Sequence, residues 1–346
     1  MRRTLVVQRV LLYYDESPRR PAVIRQLLTG HLTTSSRFWG MCYGILDIVN
    51  TDYELGFQLE RISDIAAGRG WLERDGRSSY RLTPAGRQVR DEYLRLHRTM
   101  KRPELFARFS CRRLAALLSL CVQVASELSF GGHRYMPVTG DYHVLWLFRS
   151  WYLAYGMEGI GEIRTGLLDF LAGEDETDAA VFMAKFAGHE TAGRTREQIA
   201  DDYGLEVSDV VIIERDLTVR FGEFVLERGG RLAELFRFVT MPGIVSESAL
   251  KTYGMVRGGA DAVQIARQRR LKVSTVTEHL LDCSIVFDDF PFERFVSEET
   301  RRRVGETYSG ERTVDWDFRK CAGEGVPFPE YRLIQIERVK KHGASY

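Results

Sequence analysis

The sequence has few cysteines, and they form no pattern that builds a site. Its five cysteines stand apart from one another, and none belongs to a Cys-x-x-Cys pair: they are Cys42, Cys111, Cys121, Cys283 and Cys321. An odd number of scattered thiols is typical of reduced, mostly buried side chains in a cytoplasmic protein. The pattern predicts neither a disulfide framework nor a zinc site.

Other absences narrow the class of protein further. No run of about 18 uncharged apolar residues is present, so no membrane span is expected. Gln8 and Arg9 interrupt the N-terminal apolar run, which speaks against a signal peptide. There is no Gly-x4-Gly-Lys-[Ser/Thr] loop for a nucleotide, and the adjacent acids Asp288 and Asp289 have no partner in a recognisable metal-binding order. We therefore predict a non-enzymatic protein without cofactor or metal.

The net charge of +1 conceals three segments of different charge. Residues 1–103 carry 18 Lys and Arg against 11 Asp and Glu, residues 104–240 carry 14 against 21, and residues 241–346 carry 17 against 16. A chain of 346 residues with 44% hydrophobic content suits two or three folded domains. The charge distribution favours nucleic-acid contacts near the ends and a structural or protein-facing middle.

The stretch 246–281 is the most informative one, because its pattern predicts a helix-turn-helix. A turn at Gly258-Gly259 precedes a short helix, a tight corner follows at 270–272, and a second helix begins with Ser274 as its N-cap. The apolar residues expected to face inward are Ala262, Val263, Ile265 and Ala266 on the first helix and Val276 and Leu280 on the second.

The outward residues of this motif predict contacts with DNA. The second helix of a helix-turn-helix enters the major groove, so Ser274, Thr275, Thr277 and His279 are candidate contacts there. Around the corner, only one acid (Asp261) stands between Arg257 and Lys272, and four basic residues suit phosphate contacts: Arg267, Arg269, Arg270 and Lys272. The alternative is a helical hairpin that packs on a partner protein.

The first hundred residues predict helices followed by a hairpin. Trp71-Leu72 and 80–82 flank Asp75-Gly76, a dipeptide typical of a tight hairpin turn, and Thr83-Pro84 begins the next helix. This order resembles that of winged-helix DNA-binding domains. Three arginines would lie on or near the wing, where DNA and protein contacts are equally open alternatives: Arg74, Arg77 and Arg81.

The middle segment has helical periodicity, with a second helix-turn-helix pattern at 188–217. The second helix of that pattern is expected over 210–217, with four acids exposed that would repel phosphates: Glu206, Asp209, Glu214 and Asp216. Near the C-terminus, residues 330–339 alternate like a strand, and Lys340 and Lys341 read as a frayed tail. We predict a mainly α, multi-domain fold: a winged-helix-like domain (1–103), a helical middle domain (104–240) and a C-terminal helix-turn-helix domain (241–346).

With these motifs identified, the chain resembles the helix-turn-helix proteins of Gram-positive bacteria whose gene lies beside a RecQ-type helicase. The C-terminal segment is similar to a helix-turn-helix appended to some RecQ helicases, and nine residues match that module: Ile265, Ala266, Arg269, Leu271, Ser274, Thr275, Val276, His279 and Leu280. The resemblance implies an accessory DNA-binding role beside a RecQ-type helicase in repair or replication. Glu278 departs from what a phosphate contact prefers.

Two other function classes remain open. A transcriptional regulator would read a short duplex site with the helix around 275–279. A protein adaptor would use the acidic middle segment and bind no DNA. A sharp sequence preference would indicate the regulator, and structure-dependent, sequence-tolerant binding would indicate the accessory role.

Overall fold

The computed structural model describes residues 2–76, 78–132 and 134–343, and the fold is mainly helical with a C-terminal helix-turn-helix domain, as predicted. The chain forms two compact units, one from the described residues of 1–87 and 242–346 and one from residues 88–241. The predicted first and last segments therefore belong to one unit, because they share a hydrophobic core. No helix among the described residues is long and apolar enough to cross a membrane.

The N-terminal part of the first unit consists of helices and one hairpin. Its elements are α1 (Arg2–Val10), α2 (Pro21–Thr29), α3 (Thr34–Tyr43), α4 (Tyr53–Gly68), β1 (Leu72–Asp75), β2 (Ser79–Leu82) and the start of α5 (Pro84–Leu96). Helices α2 and α4 pack closely, since a Cβ atom at Gly56 would lie 2.6 Å from Cγ2 of Thr29. The hairpin pairs Leu72 with Leu82 and Arg74 with Tyr80 in antiparallel register.

A third extended segment joins this hairpin. The backbone N–H groups of Arg19 and Tyr80 each donate to the other residue's carbonyl oxygen at 2.9 Å. Along the chain, the order is α1, the extended residue Arg19, α2, α3, α4 and then the two hairpin strands. Helix α3 is thus an insertion between α2 and α4, which pack against each other. Thr83 accepts a hydrogen bond from the backbone N–H of Gly86 at 3.0 Å, which confirms it as the cap of α5.

The C-terminal part of the first unit contains the helix-turn-helix and the helices that follow it. Its elements are α12 (Glu247–Arg257), α13 (Ala262–Arg269), α14 (Val273–Val286), α15 (Glu298–Thr307), α16 (Arg319–Ala322) and α17 (Phe328–His342). The strand predicted at 330–339 is wrong, because this stretch lies within α17. Tyr331 faces one core cluster while Leu333 and Ile336 face another, and burial on two sides hides the helical period.

The two parts of this unit share one hydrophobic core. Phe38 and Cys42 of α3 lie in the same cluster as Ile265 of α13 and Val276 and Leu280 of α14. The inserted helix α3 thus buries its apolar side against the helix-turn-helix. This packing brings together residues that are more than two hundred positions apart in the chain.

The regular elements in the described residues of the second unit are all helices. Its elements are α6 (Cys111–Ser129), α7 (Tyr142–Leu171), α8 (Glu176–Ala184), α9 (Arg196–Tyr203), α10 (Val207–Arg228) and α11 (Gly230–Arg237). Helix α7 is broken at Gly156, whose φ of 53° and ψ of −137° are not helical. The break divides α7 into two helical segments on either side of Gly156.

The second helix-turn-helix pattern is present, but its acids are not where the sequence predicts them. Gly204 forms the corner between α9 and α10 in the left-handed conformation, with φ of 63°. Asp209, Glu214 and Asp216 are buried rather than exposed. They are satisfied by partners distant in sequence, for Asp216 accepts hydrogen bonds from the backbone N–H groups of Lys101 at 2.8 Å and Arg102 at 3.2 Å.

Candidate nucleic-acid interface

The corner of the C-terminal helix-turn-helix is built by local hydrogen bonds. Asp261 and Gln264 form a reciprocal cap at the start of α13, with N–H···O distances of 2.8 and 3.0 Å. At the end of α13, Arg270 adopts the left-handed conformation with φ of 54°. The backbone N–H of Leu271 then donates to the Ala266 carbonyl at 2.9 Å, so the chain reverses within three residues.

The inner faces of α13 and α14 agree with the predicted pattern at most positions. Ile265 and Val276 are fully buried, and Ala266 and Leu280 are nearly so. Val263 is 48% exposed, so its predicted inward position is wrong. Ala262, Ile265 and Ala266 follow the i, i+3, i+4 spacing of one helical face, and Val263 lies off that face. That spacing is visible in the sequence and could have placed Val263 correctly.

The predicted N-cap of the second helix is also displaced. Lys272 occupies the cap position with extended backbone angles and no side-chain hydrogen bond, while Ser274 lies in the first turn and is exposed. The Thr277 hydroxyl donates to the Val273 carbonyl at 3.0 Å. Thr275 is half-buried. Ser274 therefore belongs to the first turn of α14 and is not its cap, while Thr275 and Thr277 lie on the second helix as predicted.

Arg269 and His279 lie on the inner side of the motif. The Arg269 guanidinium donates to the Ser248 carbonyl at 2.7 Å, to the Ser248 hydroxyl at 2.9 Å, and to Thr252. His279 was expected to face outward, but its Nδ1 lies 2.9 Å from the Thr252 hydroxyl. Burial and the nearby Arg269 lower the pKa of His279, which favours the neutral imidazole. Both residues join α12 to the helix-turn-helix.

Three cations at the corner have a different environment. The side chains of Arg267, Arg270 and Lys272 are exposed. Within the described part of the chain, none of the three forms an ion pair or a side-chain hydrogen bond. They lie on the last turn of α13, the corner and the first residue before α14, so their charges gather at one end of α14.

The two halves of α14 differ in exposure. Val273, Ser274 and Glu278 in the first half are exposed, whereas the residues from Leu280 to Ile285 are all buried. The buried half packs against α3, α12 and α17. Only the N-terminal half of α14 is open to a ligand, which is the half that a helix-turn-helix presents to base edges.

Contacts from distant parts of the chain hold the buried half of α14. Arg37 of α3 forms an ion pair with Asp282 at 3.1 Å and donates to the Ile244 carbonyl at 2.7 Å. Both members of the pair are buried. Lys340 of α17 donates to the carbonyls of Ser284 at 3.3 Å and Phe287 at 2.7 Å, placing a positive charge at the C-terminal end of α14. Lys340 is thus a helix cap and not part of a frayed tail.

Two arginines of the hairpin pair with neighbouring carboxylates. Arg74 pairs with Asp64 of α4, and Arg81 pairs with Glu73 across the hairpin at 3.0 Å. Arg77 lies outside the described residues. The exposed side of α4 carries Tyr53 and Phe57, whose rings meet edge to face with centroids 4.7 Å apart. Arg74 and Arg81 are thus paired within the chain, whereas Arg267, Arg270 and Lys272 are exposed without such partners among the described residues.

The described residues offer little for metal or thiol chemistry. No group of three His, Cys, Asp or Glu side chains among them could hold a metal ion. Cys111 is half-buried, and burial raises the pKa of its thiol to about 11. Asp289 accepts a hydrogen bond from the Tyr253 hydroxyl at 2.6 Å and pairs with Arg257 at 3.6 Å, so it serves the packing of α12.

Comparisons with known proteins identify the class of the C-terminal domain. A family model described as a helix-turn-helix domain matches residues 248–334, which span α12 to the middle of α17. Among curated proteins, Protein YpbB of Bacillus subtilis (strain 168) is similar to this chain, with 29% identity over 201 residues. The alignment covers 57% of this chain and 56% of YpbB, so the chain spans little more than half of that relative. No solved structure matches.

Proposed function

We propose that this protein binds DNA through the C-terminal helix-turn-helix and acts by binding rather than by catalysis. The observation that carries the proposal is the set of three exposed, unpaired cations at the corner: Arg267, Arg270 and Lys272. We call this set the corner cations. Cations without intramolecular partners are available to phosphate oxygens, and each phosphate contact releases counterions from the DNA.

The open half of α14 supplies groups suited to base edges. Ser274 can donate or accept a hydrogen bond, Val273 can contact a thymine methyl, and Glu278 can accept from a cytosine amino group. These contacts would lie beside the phosphate contacts of Lys272, because both belong to the first turns of the helix. Arg269 and His279 support the motif from within in this proposal and contact no DNA.

More specifically, we propose that the protein has an accessory role beside a RecQ-type helicase in repair or replication. It rests on the resemblance of residues 265–280 to the module appended to RecQ helicases. The alternative, a transcriptional regulator, is favoured by the exposed polar groups at the start of α14. The two functions differ in the DNA they need: a forked or partly single-stranded structure for the first, and a particular duplex sequence for the second.

The test is fluorescence anisotropy of labelled forked, single-stranded and duplex DNA at several salt concentrations. The variant combines Arg267→Gln, Arg270→Gln and Lys272→Gln. We expect its affinity to fall by at least about tenfold, and its salt dependence to weaken by a log–log slope of about 2 to 3, because three phosphate contacts are lost.

A charge-matched control separates the corner from the overall charge of the protein. Arg302→Gln, Arg312→Gln and Arg319→Gln remove the same charge from exposed positions that have carboxylate partners. Equal losses in both triple variants would contradict a site at the corner. Preference for forks would support the accessory role, while preference for duplexes selected from a random pool, with a defined sequence, would support the regulator. No binding to any of these DNAs would overturn the proposal.

A further inference from the structure

An apolar face lies exposed on the first half of α7 in the second unit. Tyr142 is 82% exposed, Trp146 55% and Leu153 75%. Together with Arg149 they follow the spacing i, i+4, i+7 and i+11, so they form one stripe along the helix. Large apolar side chains grouped on one face are characteristic of an interaction surface.

A groove runs beside this stripe. It has a volume of about 370 Å³ and apolar walls formed by Leu120 and Val124 of α6 and by Leu145, Phe148 and Tyr152 of α7, with Arg149 at its edge. Arg149 therefore belongs both to the stripe and to the groove. We call the stripe and the groove together the α7 groove.

The loop that borders the groove is fixed by a buried side chain. Gln123 of α6 donates through Nε2 to the Met136 carbonyl at 3.0 Å, and its Oε1 accepts from the Val138 N–H at 2.8 Å. This pairing satisfies both polar ends of the buried amide. It holds the loop in place while the Met136 side chain remains 87% exposed, so the apolar rim is preorganised for a partner.

Two cations give the groove its charge preference. Arg149 and Arg134, which is next to the groove-lining Tyr135, are exposed. In the described ranges neither has a carboxylate partner, whereas other arginines of this unit, such as Arg220 and Arg231, do. Unpaired arginines beside exposed Trp and Tyr side chains match the composition of binding hot spots.

We propose that the α7 groove binds an amphipathic helical segment of a partner protein, with apolar residues at i, i+4 and i+7 and with Asp or Glu placed to meet Arg149 and Arg134. A helix seated in a groove buries such anchors on one face. Single-stranded nucleic acid fits less well: Tyr142 and Trp146 offer rings that could stack on bases, but two cations make no continuous track for a phosphate backbone.

The test begins with a displayed library of random peptides of about 16 residues, long enough for a helix, selected on the full-length protein. A fluorescein-labelled copy of the enriched peptide is then titrated by anisotropy. We expect enrichment of apolar residues at helical spacing with acids between them. Trp146→Ala and Arg149→Glu should each weaken binding by about tenfold or more. The control is Arg164→Glu, because Arg164 is an exposed arginine of the same helix beyond the Gly156 break. This variant should bind the peptide as the unmodified protein does, within about twofold.

A charge exchange tests the role of Arg149 directly. A peptide whose acids are replaced by lysines should bind the Arg149→Glu variant better than it binds the unmodified protein. Three results would overturn the proposal: no peptide enriched over a Leu153→Asp variant, binding of labelled oligo-dT that Trp146→Ala abolishes, or self-association in sedimentation that Leu153→Asp abolishes. The last two would assign the surface to nucleic acid or to a second copy of the chain.

Discussion

Arg270 combines two properties that a single substitution can separate. Its backbone is left-handed, a conformation that costs a non-glycine residue about 1 kcal/mol or more, and its side chain is one of the corner cations. Glycine adopts this conformation without that cost. The corner therefore keeps an arginine where backbone stability alone would favour glycine, which is expected if the charge serves binding.

We predict that Arg270→Gly raises or preserves stability while weakening DNA binding. The free energy of unfolding should rise by up to about 1 kcal/mol, because relief of the strained backbone is offset partly by the entropy of glycine in the unfolded chain. Urea denaturation and anisotropy measure the two effects. Arg270→Ala is the matched variant: it loses the charge but keeps the strain, so it should bind as weakly as the glycine variant and be less stable.

His279 couples the stability of the motif to pH. The folded-state pKa of His279 is lowered by burial and by Arg269, although the carboxylates of Asp282 and Glu278 act in the opposite direction. The unfolded chain therefore takes up a proton first as the pH falls. The contribution of the neutral His279 to the free energy of unfolding is therefore complete above the ordinary histidine pKa of about 6.5. This contribution is lost as the pH falls through that value and through the lower folded-state pKa.

We predict that His279→Asn reduces this loss of stability in acid. An asparagine amide can still meet the Thr252 hydroxyl but takes up no proton in this range. The measurement is the urea midpoint at about pH 7.5 and about pH 5.5, with His31→Asn at an exposed site as the control. If the His279→Asn protein loses as much stability between the two pH values as the unmodified protein, His279 is not the group responsible.

At the scale of elements, α10 shows how an acidic helix becomes a structural one. Asp209, Asp216 and Glu223 are spaced seven residues apart on one face. Asp209 accepts a hydrogen bond from the backbone N–H of Arg98 at 2.9 Å and contacts the His97 ring. Asp216 accepts from the backbone N–H groups of residues 101 and 102. Glu223 forms an ion pair with Arg108. The row organises the segment that precedes α6.

We predict that Asp216→Leu loosens this segment. The backbone N–H groups of Lys101 and Arg102 would lose their acceptor, and Arg220 would lose one of its two carboxylate partners. We expect the free energy of unfolding to fall by about 2 to 4 kcal/mol. Hydrogen exchange should show faster exchange of the amides at 101 and 102. Asp201→Leu, on an exposed position of α9, is the control, and equal protection of both amides in the two variants would contradict the assignment.

The limits of sequence-based prediction follow from the same contacts. The corner at Gly204, the hairpin at Asp75-Gly76 and the helix-turn-helix at 262–281 are local, and local spacing and turn residues predict them. The burial of Asp216 depends on backbone N–H groups more than a hundred positions away, and the inward position of His279 depends on Thr252 in another helix. Such distant partners do not change the local spacing of polar and apolar residues, so the sequence pattern does not reveal them.

At the scale of the whole molecule, the helix-turn-helix depends on residues from the other end of the chain. Phe38 contributes to its core and Arg37 neutralises the buried Asp282. Removal of α3 would expose part of that core and leave a buried carboxylate without its cation, which costs about 3 to 5 kcal/mol for such a pair.

We predict that a fragment of residues 242–346 is much less stable than the same residues within the full chain. Circular dichroism during thermal unfolding measures the difference. Addition of a separate fragment of residues 1–87 should restore part of the stability, since the shared core can re-form between the two pieces. A fragment of 242–346 that melts as cooperatively and at the same temperature as the full chain would show that α3 is dispensable.

The shared core also sets the order in which the protein can be completed on the ribosome. Domains fold as units while the chain emerges, and residues 88–241 are synthesised as one continuous block. The unit that carries the corner cations, in contrast, cannot assemble around α3 until residues 242–346 have left the exit tunnel. A nascent or prematurely terminated chain that lacks residues 242–346 would then possess a complete middle unit and no assembled helix-turn-helix, so the proposed DNA binding requires both halves of the first unit to have been synthesised.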